Sequence, residues 1–569
     1  MRHAASPTAR RTGRKKCAAY GLAAVASGIL LALSFPPVEL AEAAWVAFIP
    51  LLLISRSCDP RASFRWGYLS GFVFWAITIS WLLNLSRFGT PLPIVVMAWL
   101  MLAAYCALYT GAFLMVVSAS WNSAQPFTSN RSRPPTSPFG LLRRAGAARY
   151  LEAIFRVLLI PLIWVGFEYI RSTLLSGFAW NSLGVSQYRN TAIIQVAEWG
   201  GVYAVSFLVM LMNTGLGLAG MNVADQWRKP SGSGRRIHVE LITAFVIVIV
   251  CMSWGIRRSI TFLAAPHDLR TMRVALIQGN IPQNEKWTEA SSDEIYDRLE
   301  ELTLKSLLSE PDLIIWPETA VPHPVMQDSP TGEWIAEFAR QGTPLLVGTM
   351  VVESDETREK IYNSALLFDD HGDVAAEYRK RHLVPFGEYI PLDRHITFLQ
   401  RIAPLGYSCT PGSFSTVFHL KSPPVAFSTL ICFEDTLAGL GRESVRNGAE
   451  LLINQTNDAW FEDTSAAVQH MSHCVFRCVE NRVPAIRCAN MGVSCLISPV
   501  GIIDSVTDSL LADGEGTKAE FRIDDVVLAG AKTDLTFYTR YGDFPFAIPC
   551  AIISAGYLAL LLVKGRQNC

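Results

Sequence analysis

Charge is what this sequence is short of. Only 17% of its 569 residues are Asp, Glu, Lys or Arg, and 49 basic residues balance 49 acidic ones. A balance so sparse leaves no basic stripe for a nucleic acid and too little charge for an ordinary soluble protein of this length. The sequence also lacks an internal repeat, a Walker phosphate loop and a Gly-rich dinucleotide fingerprint, so nothing points to nucleotide binding. Apolar residues take the place of charge. They make up 50% of the chain and lie in long runs before about residue 263 and in one more at the C-terminus.

A helix crosses the hydrocarbon core in roughly 20 apolar residues. Eight runs are read as spans: 17–35, 41–55, 66–86, 93–118, 154–170, 197–220, 240–258 and 546–563. The second is short and the fifth carries charges. The 1–16 tail is basic, as are the loops with Arg56, Arg61 and Arg65 and with Arg228, Lys229, Arg235 and Arg236. The intervening "SFPPVEL" and "NLSRFGTPLP" are nearly free of positive charge. The positive-inside rule then predicts a cytoplasmic N-terminus, a seven-helix membrane domain over 17–263, residues 264–545 outside the cytoplasm, a C-terminal helix over 546–563 and a cytoplasmic 564–569. No small-residue cleavage site precedes a polar mature start, which favours a first span over a cleaved signal peptide. The Ser-, Pro- and Arg-rich stretch 119–148 reads as a disordered cytoplasmic loop.

Residues 264–545 have another texture. Short apolar runs ended by polar or turn residues ("MRVALIQGN", "DLIIWPE", "PLLVGTMVV", "AELLINQTND") alternate with amphipathic segments such as "SSDEIYDRLEELTLKSLL", the pattern of a layered α/β domain. Three places in it deliver competent side chains: Glu318 in "IIWPETA", Lys380 and Glu388 in "AEYRKRHLVPFGEY", and Cys432 in "STLICFED". A thiol, a carboxylate to take its proton and an ammonium to face an oxyanion are the parts of nucleophilic acyl transfer. Taken singly, each is ordinarily a loop cap, a solvated charge or a packed thiol. Glu434 and Asp435, directly after Cys432, would oppose thiolate formation if they faced the sulfur, so at least one should point away or pair with a cation.

In that order, "WPETA", "YRKRHLVPFGEY" and "LICFED" resemble the Glu, Lys and Cys triad of the nitrilase superfamily. With seven spans before and one after, and with "LALSFPP", "NSLGVSQ", "QGNIPQNEKW", "YNSALLF", "NDAWF" and the Gln469–His470 pair, the chain resembles the bacterial apolipoprotein N-acyltransferase family. The resemblance implies an α-β-β-α sandwich on the membrane helices, with Glu318 as general base, Lys380 as oxyanion stabiliser and Cys432 as nucleophile. Glu388 matches a further carboxylate. Phe433 and Glu434 stand where the family usually has Tyr and Glu. Trp287 and Asn363 match residues near the site, although they read equally as an interfacial anchor and a strand-end cap. Ala179 and Glu462 replace an expected Pro and Gly, which puts loop shape in question.

The implied reaction takes an acyl chain from a membrane phospholipid onto Cys432 as a thioester. It then passes the chain to the α-amine of a diacylglyceryl apolipoprotein at a bacterial inner membrane. It calls for no cofactor and no metal, and the catalytic domain would be periplasmic. Two competing readings are a membrane-tethered nitrilase-like amidase and a non-catalytic transporter or scaffold. Few charges fall inside the spans, which argues against the latter. The helical spacing of His470, His473, Cys474 and Cys478 lacks matching ligand pairs for zinc. Cys409, Cys474, Cys478, Cys488 and Cys495 accompany Cys432 in the exported segment, where disulfides are permitted.

Overall fold

The computed structural model describes residues 7–123, 138–228, 237–264, 270–286, 288–325, 329–355, 358–391, 408–462, 464–507, 519–528 and 534–567. Among the described residues, five helices are long and apolar enough to cross a membrane: Lys15–Leu33, Leu92–Trp121, Tyr150–Ser176, Ala197–Trp227 and Val239–Ala264. Pro60–Thr78 and Ser80–Phe88, bent by 45°, make a sixth if taken as one span.

Of the remaining expected spans, the second is broken into a 3-10 turn, Ala41–Trp45, and a short helix, Ile49–Ser57, whereas the last coincides with helix Ala547–Gln567, whose apolar stretch is Ala547–Val563. The segment expected as a disordered loop also differs. Residues 119–123 continue helix Leu92–Ser123, and 138–148 open helix Pro138–Thr173; only 124–137 lie outside the described residues. The reason is composition. "PFGLLRRAGAARY" supplies proline for the first helical position and then Leu, Arg and Ala, all good helix formers.

The bundle has two distinct ends. At one, Trp121 donates to Ser55 (3.0 Å), Ser118 to the Cys58 carbonyl (2.8 Å), and Arg56 pairs with Asp225 (2.5 Å). At the other, Trp45 donates to Gln187 (3.0 Å) and residues 36, 78, 81 and 180–181 meet the second domain. The short second segment therefore still carries the chain from one end to the other.

The second domain is built on two six-stranded sheets. The first runs in the order β12 (Glu520–Leu528), β1 (Arg270–Gln278), β2 (Leu313–Ile315), β3 (Leu345–Asp355), β4 (Arg358–Phe368), β5 (Val374–Arg379). The second runs β11 (Ile503–Thr507), β10 (Ser494–Ile497), β9 (Ala485–Ala489), β8 (Leu451–Thr456), β7 (Pro424–Ile431), β6 (Phe418–Lys421). Strands β1, β2 and β3 are parallel, as are β7, β8 and β9. Such strands are covered on both faces and read as continuous apolar runs. Val274, Leu276, Ile315, Phe427, Ile453 and Ile486 interlock between the sheets. Helices Glu289–Leu307 and Pro330–Ala339 cover the outer face of the first sheet through Ile295, Leu299 and Ile335. Helices Ala438–Arg446 and Ala466–Asn481 cover the second.

This is the expected α-β-β-α sandwich, with one addition. Met471, Val475 and Val479 of helix Ala466–Asn481 share one apolar cluster with Trp180, Val205 and Leu208 of the bundle. The layer that covers the second sheet is itself covered by the membrane helices.

Candidate active site

Strand β7 is buried along most of its length and ends at Ile431, so the chain must turn sharply at Cys432 to leave the core. It does so with Cys432 at φ 52°, in the left-handed region. That is an uncommon conformation for a residue with a Cβ, and it is held by its neighbours. Asn454 and His470 each donate to the Cys432 carbonyl at 3.1 Å. Cys432, half-buried as a whole residue, stands where the turn begins.

Glu318 follows β2, whose extension is pinned by Gln455 donating to the Trp316 carbonyl (2.7 Å). Lys380 follows β5 directly and donates from Nζ to Glu318 Oε1 (3.2 Å) and Glu388 Oε1 (2.9 Å). Asn363 on β4 donates to the same two oxygens, each at 2.8 Å. The Asn457 backbone N–H donates to Glu318 Oε2 (2.9 Å), and that of Val384 to Glu388 Oε2 (2.8 Å). Four of the expected residues therefore form one buried hydrogen-bonded group, and Asn363 acts inside it as well as sitting on a strand. Burial works against the Lys380 ammonium, but Glu318 and Glu388 outweigh it and hold the amine well above its ordinary range. The Cys432 thiol is pushed up by burial first and by Glu318 second, with Lys380 pulling the other way. Both effects favour the thiol over the thiolate, so attack by this sulfur would call for a base.

Both carboxylates after Cys432 are engaged elsewhere. Glu434 accepts from the backbone N–H groups of Ile431 (2.8 Å), Arg381 (2.7 Å) and His382 (3.0 Å) and from the Tyr378 hydroxyl (2.9 Å). It clamps the loop after Lys380 to the strand that ends at Cys432. Asp435 pairs with Arg487 (3.0 Å) and with His470 (2.9 Å). Asp458 closes the group, 2.7 Å from Arg487 and 3.0 Å from His470. Burial lowers the His470 pKa, but Asp435 and Asp458 more than compensate and raise it to about 9.

Phe433, which directly follows Cys432, lies between the His382 ring (6.0 Å) and the Trp180 indole of the helical bundle (6.1 Å, planes 1° apart). Trp287 lies outside the described residues. Three further groups bear on the site. Asn457, Asn454 and the buried Lys286, which donates to the Glu318 carbonyl (3.2 Å), all reach it. "QNEKW" carried Lys286 in plain view, but a lysine in an amphipathic-looking stretch gives no hint that it is fully buried. Burial lowers its pKa to about 7, with Glu318 opposing.

Residues 27–215 match the apolipoprotein N-acyltransferase N-terminal domain, and residues 273–510 match carbon-nitrogen hydrolase. An apolipoprotein N-acyltransferase of Geobacter metallireducens is 35% identical over 96% of this chain and 96% of its own. The chain belongs to that family. The corresponding protein of Chlorobaculum tepidum is 28% identical over 95% of this chain and 96% of its own. The yeast nitrilase-superfamily protein Nit3 is 21% identical over 46% of this chain and 91% of its own, with a TM-score of 0.31. Family membership makes the protein an acyltransferase with a carbon-nitrogen hydrolase domain.

One of the two expected departures from the family pattern now has a place. Glu462 stands at φ 48°, ψ −151°, a conformation that favours glycine, and pairs with Arg87 of the bundle. Ala179 precedes Trp180 and nothing in the structure explains the substitution. Cys409, Cys432, Cys474, Cys478, Cys488 and Cys495 are all free thiols. Of the spacing weighed for zinc, His470 is instead occupied by Asp435 and Asp458.

Proposed function

We propose that the protein moves an acyl chain from a glycerophospholipid to Cys432 and then to the α-amine of the diacylglyceryl-cysteine of an apolipoprotein. The observation that carries this reading is the ammonium of Lys380, held by Glu318 and Glu388 and near enough to Cys432 for the two groups to feel each other's charge. As the sulfur attacks the ester carbonyl, Glu318 takes the thiol proton and Lys380 faces the oxyanion. The intermediate collapses to a thioester, and the lysophospholipid oxygen leaves with the proton from Glu318. The acceptor amine then attacks the thioester carbonyl and gives its proton to Glu318. The sulfur departs and is reprotonated, so no redox partner is needed. Glu388 positions the lysine and Asn363 orients both carboxylates.

The catalytic domain faces the periplasm in this reading, with the N-terminus in the cytoplasm. Support comes from Arg56, Arg61 and Arg228, which lie at or next to the bundle end opposite the catalytic domain, where Arg56 meets Asp225. An amidase for soluble substrates would share the triad but gain nothing from a bundle that reaches the residue next to its nucleophile.

The test is intact mass. Purified protein given phospholipid without an acceptor should gain one acyl chain, mapped to Cys432 and removed by neutral hydroxylamine. A diacylglyceryl peptide with a free α-amine should discharge it. Loading that persists in Cys432→Ala, or discharge by an N-acetylated peptide, would overturn the assignment.

A further inference from the structure

Helix Ala466–Asn481 is buried at every position except Val468, and Gln469 is its most heavily partnered residue. Its Oε1 accepts from Trp180 Nε1 (2.8 Å), Trp81 Nε1 (3.2 Å) and Asn181 Nδ2 (3.2 Å). Its Nε2 donates to the carbonyls of Pro36 (3.0 Å) and Thr78 (3.1 Å) and to Ser465 Oγ (3.1 Å). Indole N–H groups only donate and backbone carbonyls only accept, so the amide has one possible orientation. A carboxylate would set an oxygen against two carbonyls, and an aliphatic side chain would leave two indoles unpaired. Through this one amide the catalytic domain is registered on three separate stretches of the bundle, at Pro36, at Thr78 and Trp81, and at Trp180 and Asn181.

The next residue faces the other way. His470 donates to the Cys432 carbonyl (3.1 Å), and its ring is 5.6 Å from Trp180. Trp180 itself lies flat against Phe433. Neighbouring side chains on one helix thus hold the bundle with one hand and the nucleophile's turn with the other, and the Trp180 ring closes the circuit. A donor arriving from the bilayer comes by way of the bundle, whereas the sulfur, Glu318 and Lys380 are fixed by the sandwich. Their alignment depends on the register between the two domains, and a displacement of 1 Å can cost about 100-fold in rate.

We propose that Gln469 is a positioning residue for acyl loading. It sets Trp180 against Phe433 so that a bilayer-borne ester reaches Cys432 in line with the triad. The inference rests on the proposed phospholipid donor.

The experiment compares two reagents on the full-length protein in detergent–phospholipid mixed micelles. One is phospholipid at saturating concentration, read as single-turnover thioester formation by intact mass. The other is iodoacetamide, read as alkylation mapped to Cys432. For Gln469→Leu, loading from phospholipid should slow by about 10- to 100-fold, its half-saturating concentration should stay put, and alkylation should keep the wild-type rate. Trp180→Phe keeps an aromatic face, though a smaller one, and deletes the N–H that Gln469 reads; it should show the same selective loss, and it carries the test alone if Gln469→Leu does not fold. Equal loss in both reactions, loss in neither, or a change confined to the half-saturating concentration would overturn the proposal. Wild-type protein that is alkylated but never loads would instead overturn the phospholipid donor, and this inference with it.

Discussion

Lys380 Nζ lies 3.2 Å from Glu318 Oε1, so the cation assigned to the oxyanion and the carboxylate assigned to the proton are already an ion pair at rest. The pair decides how each can be replaced. Lys380→Met leaves Glu318 and Glu388 without the ammonium that bridges them and removes the oxyanion partner. Thioester loading should fall by about three orders of magnitude or more. Lys380→Arg keeps the charge but brings a larger planar group into a fully buried slot, and should rescue little. Single-turnover loading measured by intact mass distinguishes the two; near-wild-type loading in Lys380→Met would remove the lysine from the mechanism.

A methyl group at Gly348 should act on the base from behind. An added Cβ would meet the Pro317 carbonyl at 2.3 Å and Glu318 Cα at 2.8 Å, both backbone atoms that cannot swing aside. Gly348→Ala should therefore shift Glu318 and lower loading by about 10- to 100-fold. Retained activity would show that the 316–320 turn is softer than its packing suggests.

The clamp at Glu434 predicts a large effect for a small change. Its two oxygens accept four hydrogen bonds, and Glu434→Gln would turn an NH2 group toward donors. Unfolding of Glu434→Gln should come several degrees below wild type, with loading reduced in the protein that remains folded. Glu434→Gln matching wild type in both readouts would show that Lys380 is placed by something other than this carboxylate.

The pH dependence of stability has a definite sign at His470. Its folded pKa of about 9 lies above the ordinary imidazole value, because Asp435 and Asp458 outweigh burial. The contribution is complete below about pH 6.5 and is lost as the pH rises to about 9, on the order of 3 kcal/mol in all. Lys286, lowered to about 7, acts oppositely over part of that range, so the comparison must be with His470→Gln. The difference in unfolding temperature between wild type and His470→Gln should shrink steadily from pH 6.5 to pH 9. A constant difference would mean that His470 is neutral throughout.

At Glu462, strain and charge compete. A non-glycine residue in this backbone region costs roughly 1–3 kcal/mol, while its partner Arg87 is 65% exposed and such a pair contributes about 0–1 kcal/mol. Glu462→Gly should raise the unfolding temperature slightly and Glu462→Ala should lower it. The opposite order would make the ion pair the stronger term.

The sandwich, and the places of Glu318 and Cys432 in it, were legible because strand ends leave a local mark: an apolar run stops and a polar residue follows, as at Pro317–Glu318 and Ile431–Cys432. Asp435 and Glu434 were legible only as a problem, since their partners Arg487 and Tyr378 lie 52 and 56 residues away along the chain. Hydropathy overstated Ala41–Ser57, because it scores apolar content and is blind to the break between the 3-10 turn and the helix. The 119–148 stretch misled in the other direction, its Ser- and Pro-rich middle hiding the helix-forming residues from Pro138 onward. Gln469 stood out only by resemblance. No property of an isolated glutamine announces six partners.

The burial of helix Ala466–Asn481 between the second sheet and the bundle also bears on how the chain is made. Its bundle partners, from Pro36 to Val202, are synthesised before it, and the C-terminal contacts of Glu480 with Thr536 come after. During translation the outer layer of the sandwich emerges when the surface that will cover it has already been laid down in the lipid. The catalytic half expressed by itself would meet water with that layer bare, and would be expected to enlist chaperones or to aggregate.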